Sequence, residues 1–403
     1  KKGGGVIGST ANSHRLQSMG GRGSSSATTD NINSSIHGAG GGLYKASSVP
    51  HYKESDIRVI RTLNEGNYGR TFQVTVRGHP GLKVLKLPKD CPHEEGGGTC
   101  SRVGDDSVTN ELSNLLTLQP HRNILQLEGV VTFRGKISLL SSYCRGGSIK
   151  DLLYELDLST DEKFIPIATD VCAGLCHLHD HGVIHRDLAC RNLLVKEDGT
   201  VVISDYGLSR TIDNSGKGHC QGFQSKVAWA WAAPESLRTG KFTKESDIWS
   251  LGVTFWEILM RGEKPYRKFI DLEVKDDALQ THALADSPQH RQQQQQQQQQ
   301  QESTHADDVK LGRDCPRRLV MDGRLRLDTS HVPCSQAKWL TRLCLKFSPA
   351  ERPSALELLT LIESRAEGKN RSAEPLRHAL ASHTRSGSKA SNQTPITYDT
   401  CPM

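Results

Sequence analysis

Apolar positions fall into two regimes along the chain. From Ile57 onward they come in strand-length pieces: Ile57 to Leu63, then alternating Phe72, Val74 and Val76, then Leu82 to Leu87, with glycines between the first two. A period of two broken by turn residues predicts successive antiparallel strands. Leu112, Leu115, Leu116 and Leu118 then stripe one side of a helix, and Val130, Val131 and Ile137 to Leu140 return to short strands. Beyond Gly147 the spacing turns helical. Leu152, Leu153 and Leu156 come first, and Ile167, Val171, Ala173, Leu175 and Leu178 mark a long buried helix. The helical period resumes at Trp339, Leu340, Leu343 and Leu345, and again from Leu356 to Leu361. The layout is a β-rich half followed by an α-rich half.

Composition sharpens where the folded part ends. Residues 1–50 are rich in Gly, Ser and Asn and read as a disordered tail, as does the Ser-rich stretch 366–403. Two inserts interrupt the folded region 51–365: a loop over about 89–107 with Gly96, Gly97, Gly98 and Gly104, and a second over about 276–315 that holds ten glutamines from Gln292 to Gln301. Of the 403 residues 35% are hydrophobic, enough for a substantial core once the tails are set aside. The formal charge is +6, but residues 1–50 hold five Lys/Arg against one acid and residues 366–403 five against three, so the middle is neutral. A basic groove for nucleic acid is therefore not expected. Eleven scattered cysteines, with Cys172 and Cys176 one helical turn apart in an apolar stretch, read as reduced thiols. No apolar run reaches the ~18 residues of a membrane span. Since the first residue is Lys1 rather than Met, the expectation is a truncated N-terminus. The expected location is cytoplasmic, or the cytoplasmic part of a membrane protein, with membrane association left open.

Three segments place polar groups in apolar surroundings. Gly66 and Gly69 lie three apart in Leu63-Asn64-Glu65-Gly66-Asn67-Tyr68-Gly69, between a strand and its return strand. Glycines there let backbone N–H groups approach phosphate oxygens without Cβ interference, although a hairpin with incidental glycines reads the same way. Lys86 sits on the otherwise apolar strand Val84-Leu85-Lys86, where a buried ammonium needs a counter-charge. Glu111, opening the leucine-striped helix, is the expected partner; a lysine snorkelling to solvent is the alternative. The strongest signal is His185-Arg186-Asp187-Leu188-Ala189-Cys190-Arg191-Asn192, followed eighteen residues after Asp187 by Asp205 in Ser204-Asp205-Tyr206-Gly207. Asn192 and Asp205 are hard oxygen donors suited to Mg²⁺, while Asp187 is free to accept or orient a hydroxyl proton. Phosphoryl transfer needs that division between positioning and charge neutralisation.

These segments, together with Ala232 to Glu235 (AAPE), Ser246 to Glu257 (SDIWSLGVTFWE) and Glu351 to Ser354 (ERPS), resemble the ordered signature set of eukaryotic protein kinases over about residues 57–362. The resemblance implies an α+β, bilobal fold: a small antiparallel β-sheet lobe with one key helix, about 51–142, and a larger, mainly α-helical lobe, about 145–365. It implies ATP and Mg²⁺ as cofactors and a protein hydroxyl as acceptor. Carried over residue by residue, it puts Gly66 and Gly69 in a loop covering the phosphates, with Asn64 at the position of that loop's usual first glycine. Lys86 would hold the α- and β-phosphates and pair with Glu111. Asp187 would be the catalytic base, with Arg191 beside it, and Asn192 and Asp205 the Mg²⁺ ligands. Tyr143 and Cys144 fall in the hinge that meets adenine, with Leu194 also toward the nucleotide and Ser141 as a small gatekeeper. Arg186 would grip a phosphorylated activation segment, Glu235 would pair with Arg352, and Asp247 would tie the large helix to the catalytic loop.

Some positions depart from the family pattern. Tyr206 replaces the usual Phe and brings a hydroxyl that needs a partner; Thr71 and Val84 replace the residues that usually sandwich adenine. Ala189 and Arg191 resemble the tyrosine-kinase group or its tyrosine-kinase-like relatives, so tyrosine is the expected acceptor. The segment from Asp205 to Glu235 carries no tyrosine besides Tyr206, and a serine/threonine kinase of that group or a catalytically silent ATP-binding scaffold are the alternatives. Cys91, His93 and Cys100 have no regular zinc spacing, and His177, His179, His181 and His185 read as residues of a helix end, not a metal site.

Overall fold

The computed structural model describes residues 49–66, 69–88, 103–211, 219–220, 228–267, 315–366 and 376. The glutamine tract, the Cys91, His93 and Cys100 group and nearly all of both tails lie outside them.

The first lobe contains strands β1 (His51–Lys53), β2 (Ile57–Gly66), β3 (Gly69–Val76), β4 (His79–Leu87), β5 (Leu127–Phe133) and β6 (Lys136–Ser142), with helix α1 (Val103–Thr117) between β4 and β5. They form one sheet in the order β1-β5-β6-β4-β3-β2. All neighbours are antiparallel except the short β1, which runs parallel to β5 with His51 opposite Val130. Alternation sorts the side chains. Leu85 and Leu87 join Val74, Val131 and Leu140 on one face, while Val130 and Leu139 meet Val108 and Leu112 of α1 on the other. Lys86, between two buried leucines, is thereby turned away from their face. Each buried leucine contributes about 1.5–3 kcal/mol, so a one-residue slip would expose both and drive an ammonium into the core; the register is fixed.

Helix α1 starts at Val103, inside the stretch read as an insert over 89–107, and Glu111 sits in its middle instead of opening it. No apolar periodicity marks its first turns.

The second lobe holds α2 (Ile149–Leu152), α3 (Asp161–Asp180), β7 (Val183–Ile184), β8 (Leu193–Val195), β9 (Val201–Ile203), β10 (Arg210–Thr211), β11 (His219–Cys220), α4 (Pro234–Thr239), β12 (Lys241–Phe242), α5 (Lys244–Leu259), α6 (Pro316–Met321), α7 (Ser335–Cys344) and α8 (Ala355–Ala366). Its core joins Val171 and Leu175 of α3 to Leu251 and Phe255 of α5, Leu340 of α7 and Leu358 of α8. Phe164 and Phe255 meet edge to face at 5.2 Å. Every residue of α5 from Ser246 to Leu259 is buried, as expected for a helix packed on all sides. Thr243 caps it: its hydroxyl accepts from the Ser246 N–H at 3.3 Å, and the Ser246 hydroxyl accepts from the Thr243 N–H at 2.9 Å. Gly174 lets α3 approach the 121–124 turn. A Cβ there would stand 2.7 Å from the Asn123 carbonyl oxygen, which accepts from the Ile203 N–H at 2.9 Å.

Candidate active site

A cleft of about 380 Å³ opens between β3, β4 and α1 on one side and the loops around β8 and β9 on the other. Lys86 reaches it from β4, where its neighbour across the sheet is Thr71. Its Nζ donates to Glu111 Oε2 at 2.7 Å and to Asp205 Oδ1 at 2.7 Å. Burial alone would favour a neutral amine. The two carboxylates outweigh it and hold the Lys86 ammonium above the ordinary lysine range. Burial also opposes the Asp205 charge, but Lys86 beside it holds that carboxyl below its ordinary value. Burial pushes Glu111 up, with Asp205 adding to the shift.

The loop between β7 and β8 is held from beneath by α5. Asp247 accepts from the His185 N–H at 2.8 Å, the Arg186 N–H at 2.9 Å and His179 Nε2 at 3.0 Å. This grip supports Arg186 at φ +71°, a left-handed conformation unfavourable for a side chain with a Cβ; Asp205 lies at φ +62°. His185 stacks edge-on against Tyr206 at 5.6 Å and bonds the Ser204 carbonyl at 3.0 Å. The extra hydroxyl of Tyr206 donates to the Ile203 carbonyl at 2.6 Å, so the polar group added at this position is satisfied inside the core.

Asp187 is 8% exposed. Burial pushes its carboxyl up, and Arg191 and His185 oppose the shift. Arg191 bonds Asp187 Oδ1 and lies over the Trp231 ring at 5.2 Å. Asn192 donates its amide to the Asp187 carbonyl at 2.7 Å and to Asp187 Oδ2 at 2.9 Å. With its nitrogen committed there, the Asn192 amide oxygen is the atom left to meet a cation. Asp205 has a second carboxylate oxygen beyond the one Lys86 takes. Two hard oxygen donors beside an ammonium fit a Mg²⁺–phosphate pair, which needs only one or two protein oxygens. Among the described residues no cluster of three His, Cys, Asp or Glu gathers as a metal site; His179 and His185 serve Asp247 and Ser204 as above.

Of the residues singled out in the sequence, Asn64, Lys86, Glu111, Asp187, Arg191, Asn192, Leu194 and Asp205 all line this one cleft. Ser141 lines it too, as do Leu115, Gln126 and Leu139. Gly66 and Gly69 are paired across the end of the β2–β3 hairpin, and the two residues between them lie outside the described ones. Tyr143 and Cys144 follow β6 and do not line the cleft with their side chains; Cys144 is buried and the Tyr143 hydroxyl meets Arg61 at 3.4 Å. Glu235 and Arg352 form the two-pronged ion pair expected, at 2.6 and 2.8 Å.

Two contributors were not singled out in the sequence. Asn114 of α1 donates to the Ser209 carbonyl at 2.9 Å, fastening the helix that bears Glu111 to the segment after Asp205. Glu257 of α5, buried, accepts from the Cys190 N–H and from Trp231 Nε1, both at 3.0 Å. A buried acid in an apolar helix was the available clue, and only the resemblance had marked that helix.

Comparison with known proteins agrees with the geometry. Residues 57–306 match the family described as protein tyrosine and serine/threonine kinase. Ephrin type-A receptor 1 of Homo sapiens is 30% identical over 221 residues, 54% of this chain and 22% of that protein. Tyrosine-protein kinase csk-1 of Caenorhabditis elegans is 33% identical over 215 residues, 53% of this chain and 37% of its own length. Tyrosine-protein kinase Fer of Homo sapiens is 29% identical over 239 residues, 58% of this chain and 27% of that protein. The chain thus spans well under half the length of these curated relatives. Cleft and sequence lead to the same place by separate routes: the chain belongs to the protein tyrosine and serine/threonine kinase family.

Proposed function

We propose that this chain is an active protein kinase that transfers the γ-phosphoryl group of ATP to a protein hydroxyl, with tyrosine as the acceptor. The observation that carries the reading is the Lys86 ammonium held by Glu111 of α1 and Asp205 of the second lobe at once, which joins a phosphate-binding cation to a metal-binding carboxylate across one cleft. Lys86 supplies fixed positive charge for the non-transferred phosphates, and Glu111 keeps it in place. Mg²⁺, held by Asn192 and Asp205, supplies neutralisation of phosphate charge when bound. Asp187 orients the acceptor hydroxyl and takes up its proton; its raised carboxyl is better matched to that task than an ordinary aspartate. Arg191 occupies one Asp187 oxygen and rests on Trp231, so the acceptor side is built from a guanidinium and an indole without a lysine. That architecture, with the relatives' printed names, supports tyrosine. Arg186, whose guanidinium burial and then the neighbouring Arg210 hold down to about 10, is the group we assign to a phosphorylated activation segment. We take residues 51–365 as the catalytic domain.

Incubation with Mg-ATP, then phosphoamino-acid analysis of the chain and a mixed peptide library, tests the reading. Phosphotyrosine is expected, and Asp187→Asn should lower turnover about 10²–10⁴-fold while ATP still binds. Full activity in Asp187→Asn refutes the base, phosphoserine or phosphothreonine alone refutes the acceptor, and silence of the parent chain refutes the activity.

A further inference from the structure

A second cavity, of about 290 Å³, lies in the α-helical lobe and shares no lining residue with the catalytic cleft. Its walls are aromatic: Trp249 of α5, Tyr266 just beyond α5, and Phe347 after α7. Three cations, Arg326, Arg342 and Lys346, line it beside Leu327, Thr329 and Leu345, and no acidic side chain lines it. None of the three forms an ion pair among the described residues. Arg326 lies over the Phe347 ring at 4.4 Å and donates to the Gly323 carbonyl at 3.3 Å. Arg342 donates through Nε to the Thr329 hydroxyl at 2.8 Å. Three cations around one cavity with no acid among its lining residues make a positive local field that attracts an anion.

A second observation at the same place is independent of the first. Trp249 and Tyr266 are 2% and 6% exposed, and Trp249 Nε1 and the Tyr266 hydroxyl are both buried without a hydrogen-bond partner among the described residues. Buried donors are rarely left unmade, and those that are call for a missing acceptor. Burial pushes the Tyr266 phenol up, so it stays an O–H donor at neutral pH. Tyr266 also sits at φ +60°, a strained conformation for a side chain of this size.

From this we infer that the cavity is a second ligand site, for a small phosphate monoester carried on an aromatic or similarly flat apolar body. Guanidinium forks and an ammonium match the phosphate oxygens, and the three rings match the apolar body. The volume is at the small end for ligand pockets and admits about one ring with its phosphate. The floor of the site is also the back of the segment before Glu235: the Tyr266 ring stacks on Trp229 at 5.9 Å, and Trp249 packs against Ala233.

The probe is phenyl phosphate titrated calorimetrically into the full chain, with inorganic phosphate as comparison. Saturable binding is expected, weaker for inorganic phosphate, and at least tenfold weaker in Arg342→Ala and in Lys346→Ala, with Lys346→Arg restoring it. Thermal midpoints separate lost binding from lost folding, since Arg342, Lys346 and Arg326 are all exposed. Lys86→Ala should bind phenyl phosphate as the parent does. No saturable binding, binding indifferent to both Ala variants, inorganic phosphate as tight as phenyl phosphate, or loss on Lys86→Ala would each overturn the proposal. No outcome depends on turnover, so the proposal stands or falls apart from the kinase activity.

Discussion

At the scale of single residues, Asp187 stands between opposed influences. Burial raises its carboxyl and Arg191 lowers it, so removing the guanidinium leaves the burial effect less opposed. In Arg191→Ala the carboxyl therefore protonates at higher pH. The acid limb of kcat/KM, which reports the free enzyme's base, should shift upward in pH. A limb that stays put, or moves down, excludes the Asp187–Arg191 pair as the titrating unit. Lys86, Asp187, Asn192 and Asp205 were legible in the sequence because each is polar within or beside an apolar strand. Their mutual arrangement was less so. The bond from Lys86 to Asp205 joins residues 119 apart, and no local pattern encodes it. The Tyr206 hydroxyl was recognised as needing a partner, yet that partner, the Ile203 carbonyl, is a backbone atom that sequence does not single out. Arg191 owed its place to the resemblance alone, since a surface arginine in a loop reads the same as one bonded to a carboxylate.

Among secondary-structure elements, Gly174 is where the backbone of α3 comes close to the turn at Asn123. Alanine there would gain about 1 kcal/mol of helix propensity, but its Cβ would fall 2.7 Å from the Asn123 oxygen and 3.1 Å from Ile203. Overpacking of this kind costs about 1–3 kcal/mol, and the atom pressed is the one that takes the Ile203 N–H. Gly174→Ala should lower the urea midpoint; an unchanged or higher midpoint would show that the turn yields freely. Strands β2 to β6 and helix α3 were legible because each buries one face and exposes another. Helix α5 was visible only as a motif, for burial on every side leaves no period to read. The start of α1 was misplaced because its first turns, Val103 to Asn110, hold only Val103 and Val108 as apolar residues, five apart, which is no helical period. The parallel pairing of β1 could not be foreseen, since three residues cannot announce a direction.

For the molecule as a whole, the division into a sheet lobe and a helical lobe followed from the change of period near Gly147, and the structure keeps that boundary between β6 and α2. The lobes meet at several places, among them the hydrogen bonds of Asn123 with Val201 and Ile203. Lys86 to Asp205 and Asn114 to the carbonyl of Ser209 are contacts between them that pass beside the cleft. The free cysteines have a bearing on how this body could be watched in motion. Cys172, Cys190 and Cys344 are wholly inside the larger lobe's core. Burial raises their thiols, that of Cys344 to about 12, so almost none is thiolate at neutral pH. Cys176, one turn along α3 from Cys172, is only half-buried. Alkylation followed by peptide mass spectrometry thus has its own internal chronometer. Cys176 should be tagged first, and the three core sulfurs together, at the rate of whole-lobe opening. Separate rates for those three would reveal that the helical lobe breathes in parts.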